Sequence, residues 1–420
     1  MATRLPSRPQ LVTELGSIGL PGGTPQDGFI QAEFLPELRG AAGMRKYREM
    51  ADNDPVVGAL LFAMTMPIRN LDWRIEAADD SDAAAEAKAF LEDVLFHGMR
   101  TPWPEVVAEA LSMLTYGYTL MEIVWAQRAD GRLGVAKLAI RAQETLWRWR
   151  FDEAMRDLAG VEQFAPDGVS ATIPAYKFLL FRTVSDRGNP EGRSVLRNAY
   201  IPYLRKGTIE QAEGRAAIRS AGIVALRIPG RYMAADADAA DKAVYTAYQA
   251  IAATLAQDRQ GSVVLPGDRD TGGNRMVELD YVVADGRRPT DMSPIVDRMN
   301  RMIATSVLAD FIFLGQQAVG SFALASSKTG MFARSVGAVV AVVADVVNRD
   351  LVPRLWAYNG LDDAVRPRLV AADLETPDLL ELGDYLTRLS GAGMPLFPDQ
   401  KLEGYLRAVA KLPSEHDEVG

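Results

Sequence analysis

The feature that most constrains this chain is a valine-rich helical stripe in its C-terminal third. Phe332, Val336, Val339, Val340, Val343 and Val347 recur at helical spacing within residues 327–349. They form one narrow apolar face. β-Branched residues are poor intrinsic helix formers, so such a helix is held by what it packs on. Pro353 is expected to kink or end it. Two other long helices are predicted, over 194–220 and 290–310.

Upstream, helix and strand signals alternate. Residues 36–66 read as helix, with Asp54 as an N-cap, Pro55 at a first helical position, Val56, Leu60 and Met64 at helical spacing, and Pro67 as the stop. Asn70–Glu76 reads as a strand, Asp82–Phe96 as a helix, and Thr101-Pro102 opens another that reaches Thr115. Residues 118–151 read as β structure, with Asp130-Gly131 as a hairpin turn. A period of two puts Trp147, Trp149 and Phe151 on one face of a strand, and Arg148 and Arg150 on the other. That is the pattern of a half-buried strand; base stacking on the rings is the alternative. Strands are also expected at Tyr176–Val184, Ile223–Ile228, Ser262–Leu265 and Met276–Val283, and a helix at Asp236–Arg259. Leu314–Leu324 reads as a loop. From Asp373 onward ten acidic residues face four basic ones, and two small helices and a disordered end are expected there.

Composition removes several function classes. The chain has 420 residues, which suits two or three sub-domains. It has no cysteine, so disulfide and thiolate chemistry are excluded. It has two histidines, His97 beside Gly98 at a helix end and His416 in an acidic tail. Neither is placed for a catalytic triad or a zinc site. There is no Gly-x-x-x-x-Gly-Lys-[Ser/Thr] loop and no Gly-x-Ser-x-Gly elbow, and the stretch Gly261–Gly273 lacks the strand–loop–helix order of a phosphate loop. Asp79, Asp80 and Asp82, and again Asp236, Asp238 and Asp241, precede helices, where carboxylates cap. Two-metal nuclease ligands are the competing reading of those clusters. Neither a signal peptide nor a membrane span is expected. Val56–Ile68 and Val336–Val347 fall short of the ~20 apolar residues a spanning helix needs. Residues 1–27 are expected to be a loose arm.

The formal net charge is −9, so the chain is not expected to coat nucleic acid. One segment goes against this balance. Residues 193–220 carry Arg193, Arg197, Arg205, Lys206, Arg215 and Arg219 against Glu210 and Glu213, a local net of +4.

Several motifs in order carry a resemblance. They are Met66-Pro67-Ile68-Arg69-Asn70-Leu71-Asp72-Trp73-Arg74-Ile75; Ala110-Leu111-Ser112 through Tyr116-Gly117-Tyr118 to Glu122-Ile123-Val124-Trp125; Gly188-Asn189-Pro190-Glu191-Gly192-Arg193-Ser194-Val195-Leu196-Arg197; and Val263-Val264-Leu265-Pro266. They belong to a set of matching pieces spread over residues 40 to 360. The chain resembles the portal proteins of tailed bacteriophages, most closely the branch of Mu-like phages. Where many relatives carry a longer Gly/Ser/Thr loop before the last long helix, this chain has Ala318–Lys328, which leaves that loop's boundaries open.

The resemblance implies an α+β portal fold with wing, helical stem, small α/β clip and helical crown, assembled as a ring. It implies an N-terminal arm over 1–27, a wing over 28–190, stem helices over 193–220 and 290–310, and a clip over 221–286. A tunnel loop over 311–326, a long helix over 327–358 and a crown with tail over 360–420 follow. The function implied is a non-enzymatic DNA channel at a unique capsid vertex, without cofactor, used in genome packaging and ejection. Implied partners are other copies of the chain, in a dodecamer, the large terminase ATPase, the major capsid or scaffold protein, head-completion adaptors, and double-stranded DNA read without sequence specificity. The implied location is the virion, and the host cytoplasm during assembly. On this reading Gly315, Gln316, Gln317, Gly320, Ser321 and Lys328 face the DNA. Arg231, Asp268, Arg269 and Asp270 dock partners at the clip. Arg197, Arg205, Lys206, Arg215 and Arg219 give the stem its charge. The alternatives are a nucleic-acid-processing enzyme with a carboxylate metal site, and a helical virion adaptor.

Overall fold

The computed structural model describes residues 28–30, 33–153, 157–164, 168, 170–185, 187–220, 223–256, 269–282, 291–307, 322–372, 386–388 and 403; at 217–220, 223–225, 254–256, 280–282 and 322–330 it describes the backbone only. The first part of the chain forms α1 (Gly40–Asn53), α2 (Pro55–Arg69), β1 (Trp73–Glu76), α3 (Asp82–Glu92), α4 (Trp103–Ala110) and α5 (Ser112–Tyr116). Six strands follow: β2 (Tyr118–Gln127), β3 (Leu133–Arg141), β4 (Leu146–Phe151), β5 (Leu158–Phe164), β6 (Ser170–Pro174) and β7 (Phe178–Arg182). Then come α6 (Tyr200–Ser220), β8 (Ile223–Arg227), α7 (Ala239–Ala256), β9 (Glu278–Val282), α8 (Ser293–Thr305), α9 (Phe322–Val346), α10 (Val352–Asn359) and β10 (Arg368–Ala371). The chain divides into two compact units, Met1–Tyr200 with Met302–Gly420, and Ile201–Arg301.

The helix starts follow their capping chemistry. Asp54 accepts hydrogen bonds from the backbone N–H of Val56 (2.9 Å) and Val57 (3.1 Å), which separates α1 from α2. Ser81 caps α3 through the N–H of Ala84, and the carboxylate of Asp79 accepts from the N–H of Ser81. Pro67 does not end α2, contrary to the sequence reading. The helix runs on to Arg69 because Ile68 is fully buried and the N–H groups of Asn70 and Leu71 close the last turn onto Met66 and Ile68.

Pro353 does not end the long helix either. A π turn over Val347–Leu351 joins α9 to α10, and Pro353 sits in the first turn of α10, where the widened backbone accommodates its ring. The run stops at Gly360, which is left-handed at φ 62°. Met331–Asn359 is therefore long and apolar enough, by length and composition, to cross a membrane. Its apolar face is spent on the protein interior instead. Phe332, Val336, Val340, Val343, Val347, Leu351 and Leu355 are all buried. Polar side chains then tie the helix to strands. Asn348 exchanges two hydrogen bonds of 2.8 Å with the backbone of Leu369 in β10. Asn359 does the same with Leu133 in β3 (2.7 and 3.0 Å). Arg354 donates to the carbonyls of Tyr176 (3.1 Å) and Phe178 (2.9 Å) at the start of β7.

β10 is a departure from expectation. The segment after residue 360 was expected to be helical, yet Arg368–Ala371 pairs antiparallel with β1, Trp73 opposite Ala371. Its inward residue Leu369 is fully buried, and that burial is available only after the chain has returned from far away in sequence. β3, β2 and β7 form a second antiparallel sheet, and β4, β5 and β6 a third. The third sheet corrects the reading of Trp147–Phe151. The register shifts between Leu146 and Arg148, so Trp147 leaves the face shared by Trp149 and Phe151. Trp147 is 60% exposed and meets Phe29 edge-on at 5.4 Å, whereas Trp149 is buried with Tyr118, Val161 and Ile173.

Two motifs far apart in sequence meet at one joint. Gly117 (φ 94°) and Gly192 (φ 60°) lie back to back; a Cβ on Gly192 would fall 2.4 Å from the carbonyl oxygen of Gly117. Both positions need glycine on conformation and on space. Thr183 Oγ1 lies within hydrogen-bond distance of the carbonyl oxygens of Gly117 (3.1 Å) and Arg193 (2.5 Å), between which its one proton is shared. Ser194 Oγ donates to the carbonyl of Thr115 (2.6 Å). Beside them Glu191 accepts a 3.1 Å hydrogen bond from the Trp149 indole N–H. Burial pushes the Glu191 carboxyl up to about 6, the Trp149 bond opposing it.

That shift sets a pH dependence. A carboxyl whose folded pKa lies above its ordinary 4.5 favours the folded state fully below that value, and the contribution is lost as pH rises through about 6. The loss is on the order of 2 kcal/mol. Glu191→Gln keeps an acceptor for Trp149 and removes the titration. In urea denaturation, the variant should match wild type at pH 4 and exceed it at pH 8. Equal stability at pH 8 would contradict the buried position of this carboxyl.

Candidate functional site

The basic helix and the insertion that follows it belong to the unit Ile201–Arg301. β8 and β9 pair antiparallel, Ile223 opposite Val282, and bring the two ends of the insertion together. α7 packs on β8 and starts at Asp238, whose carboxylate accepts from the N–H of Asp241 (2.8 Å). Of the three aspartates, Asp238 is thus turned to capping, and Asp241 lies in the first turn of α7. Among the described residues, no group of three or more His, Cys, Asp or Glu is placed to hold a metal ion.

The expected docking charges are not gathered into one patch. Arg231 is exposed in a short 3-10 turn; its guanidinium lies 4.7 Å from the Tyr232 ring centroid and donates to the Tyr232 hydroxyl (2.6 Å). Arg269 and Asp270 share a different turn. Asp270 accepts from the N–H groups of Gly272 and Asn274, both at 2.8 Å, and these bonds hold its carboxyl below the ordinary range. It therefore shapes the loop. Arg269 donates to the Gly273 carbonyl (2.7 Å) and remains exposed. Asp268 lies outside the described residues, as do Gly315, Gln316, Gln317, Gly320 and Ser321; Lys328 is placed on α9 by its backbone.

The basic residues of 193–220 also separate. Arg205 and Arg215 are exposed on α6, and Lys206 is buried at 6% exposure. Arg219 lies on α6 by its backbone. Arg197 does not sit on the long helix; it lies in a 3-10 turn, Val195–Arg197, ahead of it. There it forms a two-pronged ion pair with Glu33, Nε to Oε2 at 2.6 Å and Nη2 to Oε1 at 2.7 Å. Burial pushes the Glu33 carboxyl up, but the Arg197 and Leu35 hydrogen bonds outweigh it and hold it below the ordinary range. Glu33 carried no local signal in the sequence, since its partner is 164 residues away.

Comparison with known proteins settles the family. The family model described as the portal protein of Mu bacteriophage matches residues 44–405. The chain belongs to the Mu portal protein family. Three solved structures share the fold of this chain. One is a chain of the native gene transfer agent virion, with TM-score 0.51 and 13% identity over 89% of this chain and 94% of that one. A second is from the neck of the native gene transfer agent particle computed with C12 symmetry, at 0.50 and 12% over 88% and 94%. A third is from the neck of the empty particle computed with C6 symmetry, at 0.51 and 15% over 90% and 94%. No curated protein matches by sequence. The family match does not favour the alternatives raised by the sequence, a nucleic-acid-processing enzyme with a carboxylate metal site or a helical virion adaptor.

Arg197 offers a direct check on its placement. Arg197→Ala strands a partly buried Glu33 and should lower the stability of the portal protein by about 2 kcal/mol in denaturant titration. An unchanged midpoint would show that the pair contributes nothing and that Arg197 is free for another role.

Proposed function

We propose that this portal protein forms a closed homo-oligomeric ring, a dodecamer, around a channel for double-stranded DNA at one vertex of the capsid. The family match over residues 44–405 carries this reading, and the C12 neck of a structural neighbour supports the ring. A cyclic assembly also answers a physical need, since it closes on itself and leaves no open end. The protein would act in the virion, and in the host cytoplasm while heads are built.

Within the subunit we assign an arm to 1–27, a wing to 28–190, stem helices to 193–220 and 290–310, a clip to 221–286, a tunnel loop to 311–326, the long helix to 327–358, and a crown with tail to 360–420. The clip would dock the large terminase ATPase during packaging and head-completion adaptors afterwards, with Arg231 and Arg269 among its exposed cations. The wing would meet the major capsid or scaffold protein. The channel would be held open by structure and driven by the terminase, with no catalysis in this chain. A net charge of −9 suits a surface past which DNA slides, because each Lys or Arg on a phosphate adds salt-dependent grip.

The loop residues Gly315, Gln316, Gln317, Gly320 and Ser321 are glycine or polar and carry no charge. They would project toward the duplex, with Lys328 as the nearest cation. A packaging assay with purified heads, terminase and ATP tests the assignment. Gln316→Lys and Gly320→Trp should leave rings intact and cut packaged DNA at least ten-fold. Arg231→Glu with Arg269→Glu should weaken terminase binding to a comparable degree. Full packaging by both loop variants would remove this loop from the channel. Magnesium-dependent DNA cleavage by the portal protein alone, lost in Asp79→Ala or Asp236→Ala, would overturn the non-enzymatic reading.

A further inference from the structure

Within the unit Ile201–Arg301, α6 and α8 lie side by side and leave an open cleft of 310 Å³, lined by Leu204, Arg205, Ile209, Ile295, Arg298 and Met299. Its floor is apolar, with Met299 buried and Ile209 and Ile295 half-buried. Its rims are cationic: Arg205 on one helix and Arg298 on the other are exposed, and neither is paired with any described residue. Leu204 keeps 40% of its surface exposed at the same rim. An apolar slot bracketed by two exposed guanidinium groups suits a carboxylate on an apolar stem, because arginine pairs with carboxylates in charge-assisted bonds.

The complementary group sits on the same helix. At ~100° per residue, Gly207, Glu210 and Gly214 lie on the side of α6 opposite the cleft. Glu210 is exposed and has no partner among the described residues. A Cβ on Gly207 or Gly214 would meet nothing within 4 Å, so nothing in the described part of the subunit requires a glycine at either position. Each glycine costs the helix about 1 kcal/mol relative to alanine. What the two glycines provide is room for another helix to come close around Glu210. A cleft on one side of a helix and its complement on the other make a head-to-tail contact, and such contacts generate rings where the rotation closes.

We propose that Glu210 of one copy seats in the α6–α8 cleft of the next, between Arg205 and Arg298, with Gly207 and Gly214 allowing the helices to approach. This contact rests on the ring reading above and names the side chains that would close it. The other candidate occupant of an arginine cleft is a DNA phosphate. The apolar floor and the matching acidic face of α6 favour a second copy.

The test uses the full-length chain and reads mass by light scattering across a concentration series. Wild type should assemble. Arg205→Glu with Arg298→Glu, and separately Glu210→Arg, should each raise the concentration for half-assembly at least ten-fold while thermal melting confirms folding. Mixed in equal amounts, the two reversed chains should assemble again, since each then offers the other a matched contact. Glu210→Gln, which keeps the side chain's shape, should weaken assembly several-fold even if a reversal disturbs folding. Reversed chains that assemble like wild type would overturn the contact and leave the ring standing. If in addition they lose binding to duplex DNA, the cleft serves phosphate. A wild-type chain that stays monomeric would overturn the ring itself, and the contact with it.

Discussion

The long helix from Phe322 to Asn359 is the constraint on which the larger unit depends. Its valine stripe cannot be covered by local structure, so the rest of the unit is built around it. Burial alone would not fix which strand lies where, because apolar contacts are non-directional. Direction comes from Asn348, Arg354 and Asn359, each of which bonds to the backbone of a strand in β10, β7 or β3. A side-chain amide that both donates to and accepts from one residue copies a strand partner. These residues convert a greasy rod into a frame with defined register.

The joint at Gly117 and Gly192 has a different task. It brings the end of α5, the start of β2 and the turn before α6 into backbone contact, and it places Glu191 against Trp149. The chain leaves this joint through the Arg197–Glu33 pair and enters α6. Charge that looked available in the sequence is thus partly consumed by structure. Arg197 holds the joint, Lys206 is buried, and Asp270 folds its own loop. Arg205 and Arg298 are exposed and have no partner among the described residues, and on them the proposed subunit contact rests.

Much of this fold was legible in the sequence wherever the signal was local. Asp54-Pro55 and Asp130-Gly131 mark a helix start and a hairpin by capping and turn chemistry that needs no distant partner, and the start of α3 was legible too, although its cap is Ser81 rather than the aspartates around it. The valine stripe marks a buried helix face for the same reason. What escaped depended on distant residues. β5 and β6 lack a strong alternation and form because Val161 and Ile173 find Trp149 and Tyr118. β10 is four residues long and exists because β1 offers it an edge. Trp147 obeys the period of two in the sequence and breaks it in the structure, because a bulge re-aims it. Pro67, read as a stop, and Pro353, read as a kink or an end, lie within continuous helical runs, Pro67 held by the burial of Ile68 and Pro353 by a π turn. The candidate site was the least legible. Its charges announce themselves by type, but whether each is free or committed depends on partners that spacing does not reveal.

The central claim is that copies of this portal protein close into a ring around a channel. Electron micrographs of the purified full-length protein test it most directly. The account predicts closed particles of uniform size whose end-on class averages show cyclic symmetry around an open centre. Monomers, open arcs without a fixed subunit number, or closed particles with no axial opening would contradict it.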